Sequence, residues 1–441
     1  MPRPSFLFHH FVPPAMLCIA WLVASGAIAA EPKAWVEKNL DDLQALYRHL
    51  HSNPELSFQE EKTAARLTDE LKKLGIEVTS KVGRQGVVGI LKNGPGPTVM
   101  IRTDLDALPV TEATELPYAS KATGKDRDGN DVGVMHACGH DIHITCLVGT
   151  ARFLAAHKEA WGGTVLFVGQ PAEEIGEGAL AMLKDGLFTK FPRPDYALAL
   201  HVDSAMAGGK VGYRAGYILA NVDSVDITMR GTGGHGAYPQ KTIDPIVQAA
   251  QLVVDLQTIV SRENSPFEPA VVTVGAIRGG TKHNIIPDTC HLKLTVRSYT
   301  DQMRKRLLDA IRRKANAVAA GAGAPEPIIE FSDATPATRN DEQLVARLVP
   351  VFTRVLGEDN VVPVDQSMGG EDFSQYGLAG VPIFMFRLGS IAPQRIEEFS
   401  RAKKSLPSLH SAEYFPTPEP TIATGVTAMS AAVLDLLRAK K

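Results

Sequence analysis

Two hydrophobic periodicities alternate along the chain. Apolar residues recur at three- and four-residue intervals over residues 35–51, where Leu40, Leu43, Leu46, Tyr47 and Leu50 share one face, and again over 60–74. Both segments are expected to be amphipathic helices, the second stopped by Gly75. Short β-rich runs follow at 76–79, 87–91 and 98–102, and residues 93–97 (Asn-Gly-Pro-Gly-Pro) supply the turn between the last two. A helix is expected after His136 and through about Ala156. It is followed by a strand over 164–168, a helix over 178–185 and a strand over 196–200. Strands alternating with helices predict an α/β domain with a largely parallel sheet.

The pattern changes near residue 220. Residues 224–230 (Ser-Val-Asp-Ile-Thr-Met-Arg) alternate polar and apolar, as a half-buried strand does. A helix is expected over 244–262, strands over 271–276 and 290–298, a second amphipathic helix over 301–320 and a loop over 321–327. Strand-helix-strand-strand-helix reads as a small α+β layer. From about Thr335 the α/β character returns. The expected fold is therefore a mixed, mostly parallel-sheet α/β domain built from 30–219 and 335–441, with an α+β domain, 220–334, inserted into it.

The N-terminus stands apart. Arg3, the apolar run 16–24 and the small-x-small triplet Ala27-Ile28-Ala29 make residues 1–29 read as a secretory signal. The expected product is exported, periplasmic or secreted. The run is shorter than the ~20 apolar residues of a spanning helix, so no stable membrane insertion is expected after cleavage. Cys18 would leave with the signal. The remaining three cysteines are an odd number, so at least one of Cys138, Cys146 and Cys290 is free or holds a metal. Cys146 and Cys290 could pair, but read more simply as buried apolar residues. Among 441 residues, 46 Lys and Arg nearly balance 49 Asp and Glu, for a net charge of −3. That balance argues against nucleic acid as a partner.

Chemistry-bearing residues gather where strands end. They are Arg102-Thr-Asp104-Leu-Asp106, then His136-Ala-Cys138-Gly-His140-Asp141, then Gln170-Pro-Ala-Glu173-Glu174, then His201, and finally Leu409-His410. Open α/β sheets place their sites at such ends. A thiolate and imidazoles suit zinc, and also manganese, cobalt or nickel. Of two adjacent carboxylates, one can bind an ion while its neighbour takes a proton from water, a division suited to hydrolysis. Cys138, His140, Glu174, His201 and His410 make five donors, more than one tetrahedral ion needs, so two ions are expected.

In this combination the chain resembles the M20 metallopeptidase family, in its amidohydrolase branch of hippurate, N-acyl-amino-acid and indole-acetyl-amino-acid hydrolases. The resemblance runs through nearly the whole chain beyond the signal. Besides the clusters above it includes Arg48-His-Leu-His51-Ser-Asn-Pro-Glu55-Leu56, Gly234-His235-Gly-Ala-Tyr-Pro239, Asn284-Ile-Ile-Pro287 and Gly370-Glu-Asp-Phe373. It implies that Cys138, His140, Glu174, His201 and His410 hold two divalent metal ions per subunit, manganese or zinc, with cobalt or nickel as further candidates. It implies Glu173 as general base and Asp106 as the carboxylate that orients the site. It makes the inserted domain a lid and dimerisation domain, hence a homodimer. Its His235 would help stabilise an oxyanion, and Asn284 and Arg297 would lie near the substrate carboxylate. The substrate would be a small N-acyl amino acid or short peptide. Gln240 stands where many relatives have His, and Gly236 replaces a frequent Ala. Two other readings stay open: a metal carboxypeptidase or dipeptidase, and a non-catalytic exported binding protein.

Overall fold

The computed structural model describes residues 1–2 and 31–438; the rest of the expected signal segment, residues 3–29, lies outside the described residues. Eight strands form the large sheet. From edge to edge they are Glu77–Val82, Gly86–Asn93, Gly163–Gln170, Thr98–Asp104, Tyr196–Ala207, Ile383–Ile391, Val211–Tyr213 and Val361–Pro363. Four of the seven neighbouring pairs are parallel, including the three central ones. The central strands are buried along almost their whole length. Near-continuous apolar runs such as Thr-Val-Leu-Phe-Val are what a sheet covered on both faces requires. Helices Pro32–His51, His140–Ala156 and Pro418–Leu436 pack against one another. The last is buried almost all round. Its small residues allow this: a Cβ on Gly425 would meet Cys146 Sγ at 2.5 Å.

The second sheet is antiparallel, in the order Val271–Gly279, Thr289–Ser298, Asn221–Arg230 and Ile328–Thr335. Along Asn221–Arg230 buried and half-exposed positions alternate, so one face is covered and the other is open. The cover is the pair of helices Pro245–Thr258 and Asp301–Gly321, which bury Val225, Ile227, Met229, Leu252, Leu292 and Leu307. Asp244 and Thr300 cap these helices through their side-chain oxygens. Arg304 clamps the Asp223 carboxylate (Nη2–Oδ1 2.6 Å, Nε–Oδ2 2.8 Å) and ties the second helix to the start of strand Asn221–Arg230.

Two elements differ from expectation. The fourth strand, Ile328–Thr335, was hidden by the Gly- and Pro-rich stretch before it, yet it pairs along Asn221–Arg230. The expected helix over 244–262 ends as an α-helix at Thr258 and closes with a π turn, Ile259–Glu263. Cys138, Cys146 and Cys290 are all free and buried. Among the described residues no helix is long and apolar enough to cross a membrane.

Candidate metal centre and cleft

Pairing between Thr98–Asp104 and Tyr196–Ala207 ends at Arg102 and Ala199. His201 therefore lies just past the point where these two strands part, while its strand stays paired on the other side with Ile383–Ile391, and a crevice opens at the strands' carboxyl ends. Three unusual backbones bring the other groups to it. Gly139 has φ 77°, and a Cβ there would meet Val202 Cγ2 at 2.6 Å, so only glycine fits the turn that starts the helix at His140. Ala172 has φ 51° and is held by its amide, which donates to Glu60 Oε1 at 2.7 Å. His410 has φ 68°, and its amide donates to the Ala137 carbonyl at 2.9 Å, beside Cys138.

The donors meet around Cys138. Its sulfur lies 3.5 Å from His201 Nε2 and 3.3 Å from His410 Nε2. His410 Nε2 is 3.5 Å from Glu174 Oε2, and His140 Nε2 is 3.7 Å from Glu174 Oε1. Glu173 Oε2 is 3.8 Å from the same His140 nitrogen. Each of two histidines is turned by a carbonyl: His140 Nδ1 donates to Asp106 O and His201 Nδ1 to Val202 O, both at 2.8 Å. Their Nε2 lone pairs thus face the centre. His140 Nε2 and Glu174 Oε1 are buried and have no hydrogen-bond partner. Buried polar atoms are rarely left so, and here they sit among soft and borderline donors, which is what divalent ions require.

The charges of the cluster support this fit. Burial, then the carboxylates of Glu174 and Glu173, push the Cys138 thiol well above its usual pKa. Burial, then Glu371 and Glu174, raise Glu173 well above the carboxylate range, against the pull of Arg102. Glu174 rises to about 7, through burial opposed by His140. Burial, reinforced by His143 and Arg387, holds His201 well below the usual histidine value, as the neutral imidazole a metal takes. The cluster is thus short of positive charge, which cations would supply.

Asp106 does not face the sulfur. It accepts the amides of Glu173 and Glu174 at 3.1 and 3.0 Å and the Ser57 hydroxyl at 2.6 Å. Behind the glutamates stands a buried ion network that the sequence reading left without a role. Arg102 reaches Asp104 at 2.8 Å, Glu371 at 2.9 Å and Asp372 at 3.1 Å, and also bonds Gln170. His143 joins it through Asp104 (2.7 Å) while accepting the Val202 amide. Apart from His143, these residues lay in the quoted motifs, but their partners are up to 270 positions apart.

A cleft of about 610 Å³ opens over the centre, lined by Cys138, Glu173, Glu174, His201 and His410 on one side and by Arg297, Ser224 and Val222 of the four-stranded sheet on the other. Arg297 also donates to Met368 O at 2.7 Å. His235 and Asn284 do not line the cleft. Both are exposed, at a small two-stranded antiparallel ribbon, Gly234–His235 with Ile285–Ile286, joined further by the bond from Gly236 N to Asn284 O, 2.9 Å.

Comparison with known proteins bears on this arrangement. The pattern described as Peptidase family M20/M25/M40 matches residues 100–411. The chain is 35% identical over 358 residues to thermostable carboxypeptidase 2 of Saccharolobus solfataricus, covering 80% of this chain and 87% of that one. It is 38% identical over 320 residues to hippurate hydrolase of Campylobacter jejuni, covering 72% and 80%. Among solved structures, a dinuclear metal binding peptidase from the M20 family of Bacillus subtilis is similar over 92% of this chain and 99% of its own. The identity there is 30% and the TM-score 0.74.

Proposed function

Because the chain belongs to the peptidase family M20/M25/M40 and is a hydrolase of amide bonds, we propose that it cleaves the amide of N-acyl amino acids, using two divalent ions, manganese or zinc. The observation that carries this reading is the pair of unpartnered buried atoms, His140 Nε2 and Glu174 Oε1, beside Cys138 and its two flanking imidazoles. Cys138, His140, Glu174, His201 and His410 would hold the ions. Bound there, the ions supply Lewis acidity and lower the pKa of water toward neutrality.

The protein's own groups do the rest. Glu173 takes the proton from the attacking water and returns it to the departing amine nitrogen. Its burial keeps the carboxylate basic enough for the first transfer and acidic enough, once protonated, for the second. Asp106 fixes the backbone from which both glutamates project. Arg297 would receive the substrate's α-carboxylate, as a planar guanidinium does well. His235 reaches a reacting carbonyl only by rotation of residues 220–334 as a lid or from a second protomer docked on that lid. His235→Ala should then lower kcat. The apolar N-terminal run supports an exported location, which cell fractionation tests.

Amine release from N-acetyl, N-benzoyl and N-indoleacetyl amino acids, run beside unblocked dipeptides with and without Mn²⁺ or Zn²⁺, tests the reading. Ion-dependent release from blocked substrates alone supports it. The likeness to a thermostable carboxypeptidase favours a second reading, action on short peptides. Release from free dipeptides would move the assignment there, and silence throughout would favour a binding protein.

A further inference from the structure

Three arginines line the cleft: Arg127, Arg297 and Arg387. Arg127 is paired with Glu177. Arg297 enters from Thr289–Ser298 of the four-stranded sheet and is the cation assigned above to the α-carboxylate. Arg387 enters from Ile383–Ile391 of the large sheet and has been given no role. It is the cross-strand partner of His201 on the adjacent parallel strand, so both side chains leave the same face of the sheet. Its head therefore lies beside the metal centre.

Among the described residues Arg387 has no ion pair. The carboxylates whose charge acts on it are already engaged. Glu371 bonds Arg102 at 2.9 Å and the amide of Phe373 at 2.9 Å, and Asp203 accepts the amide of Ala205 at 2.8 Å. Asp203, Glu371 and Cys138 act on the Arg387 guanidinium only across space, and burial lowers its pKa below the usual arginine value. A half-buried guanidinium that lines the cleft without an ion-pair partner leaves its donors free for an anion offered by a ligand. Five N–H groups in a planar fork suit a carboxylate in two-point contact.

We propose that Arg387 anchors a second carboxylate of the substrate, so that the preferred substrate is an N-acyl amino acid carrying two carboxylates, one for each sheet's arginine. The inference rests on the amide-hydrolase reading above and narrows it to a dianionic substrate class. The second carboxylate belongs either to the amino acid's side chain or to a dicarboxylic acyl group.

Two matched pairs distinguish these sources: N-acetylglutamate against N-acetylglutamine, and N-succinylglutamine against its succinamoyl analogue. Each pair differs only in carboxylate against amide. For one pair the acid should exceed the amide at least tenfold in kcat/KM, with the difference in KM. Arg387→Met should bring that ratio near one, and Arg387→Lys should keep part of it. Equal rates for acid and amide in both pairs would overturn the assignment while leaving the hydrolase reading standing. An equal loss on all four substrates in Arg387→Met would also overturn it, because the residue would then serve the fold or the metal centre. If the Met variant does not fold, the wild-type ratios and the Lys variant decide. No turnover of any of the four, beside turnover of other N-acyl amino acids of the panel above, would overturn this inference alone; silence across both sets would overturn the N-acyl-amino-acid reading with it.

Discussion

Asp106 holds the backbone of Glu173: Asp106 Oδ1 accepts the Glu173 amide at 3.1 Å, and its other oxygen takes the Glu174 amide at 3.0 Å. One fully buried carboxylate thus sets where two functional side chains begin. Asp106→Asn turns one of these acceptors into a donor aimed at a backbone N–H. Leaving such a group unpaired costs about 1–3 kcal/mol. The variant should fold, and kcat should fall about 10- to 100-fold, as when outer partners of a metal site are removed. Steady-state kinetics with circular dichroism checks both parts.

Glu173→Gln should separate ion binding from turnover. Its side chain keeps nearly the same shape but cannot accept the proton. Ion content by elemental mass spectrometry should match wild type, while kcat falls about 10²- to 10⁴-fold. Chelation of the wild type should remove activity, and re-addition of Mn²⁺ or Zn²⁺ should restore it. Wild-type rates after complete chelation would contradict the metal assignment.

Arg102 is 2% exposed and faces three carboxylates. Arg102→Met would leave Glu371, Asp372 and Asp104 buried without their cation. Breaking one side of such a network costs about 3–5 kcal/mol. A urea melt of the ion-free protein should show that loss, and a midpoint unchanged from wild type would count against the network's role.

His51 gives a pH signature. Burial alone would lower its pKa, but hydrogen bonds to Asp141 (2.7 Å) and Glu112 (3.0 Å) raise it from 6.5 to about 9. Below pH 6.5 the histidine is protonated folded and unfolded, and the pair contributes fully. As pH climbs to about 9 the unfolded chain loses its proton first and the contribution is lost. The difference is roughly 3 kcal/mol. Denaturant melts from pH 6 to 9.5 should show this decline, and His51→Gln should flatten it.

Much of the fold was legible because each signal was local. Residues 98–102 and 164–168 read as strands from their apolar runs, and they run through the sheet's centre. Cys138, His140 and the Glu173–Glu174 pair were legible because their types are uncommon at strand ends. What was not legible depends on distance along the chain. The link from Arg102 to Glu371 spans 269 positions, and no periodicity encodes it. Arg387, in the run Phe-Met-Phe-Arg-Leu, carries no local mark; its place beside His201 comes only from strand register. The exposed position of His235 and Asn284 depends on how the second sheet sits over the first, which is set by contacts such as Arg297 to Met368 rather than by the two-stranded ribbon's own residues.

The pairing of His201 with Arg387 across parallel strands has a consequence for assembly. A slip of one residue between these strands would turn one of the two side chains to the opposite face. Such a slipped sheet could still bury apolar residues, because both faces are covered. Where Tyr196–Ala207 is the strand that moves, His201 turns away and the five donors cannot gather. Capture of the ions would thus discriminate between alignments that hydrophobic burial alone leaves close in energy, and it adds its binding free energy only to the correct one. Refolding with the ions present should then yield fewer misaligned molecules than refolding without them, making the cluster a proofreading device for the sheet that carries it.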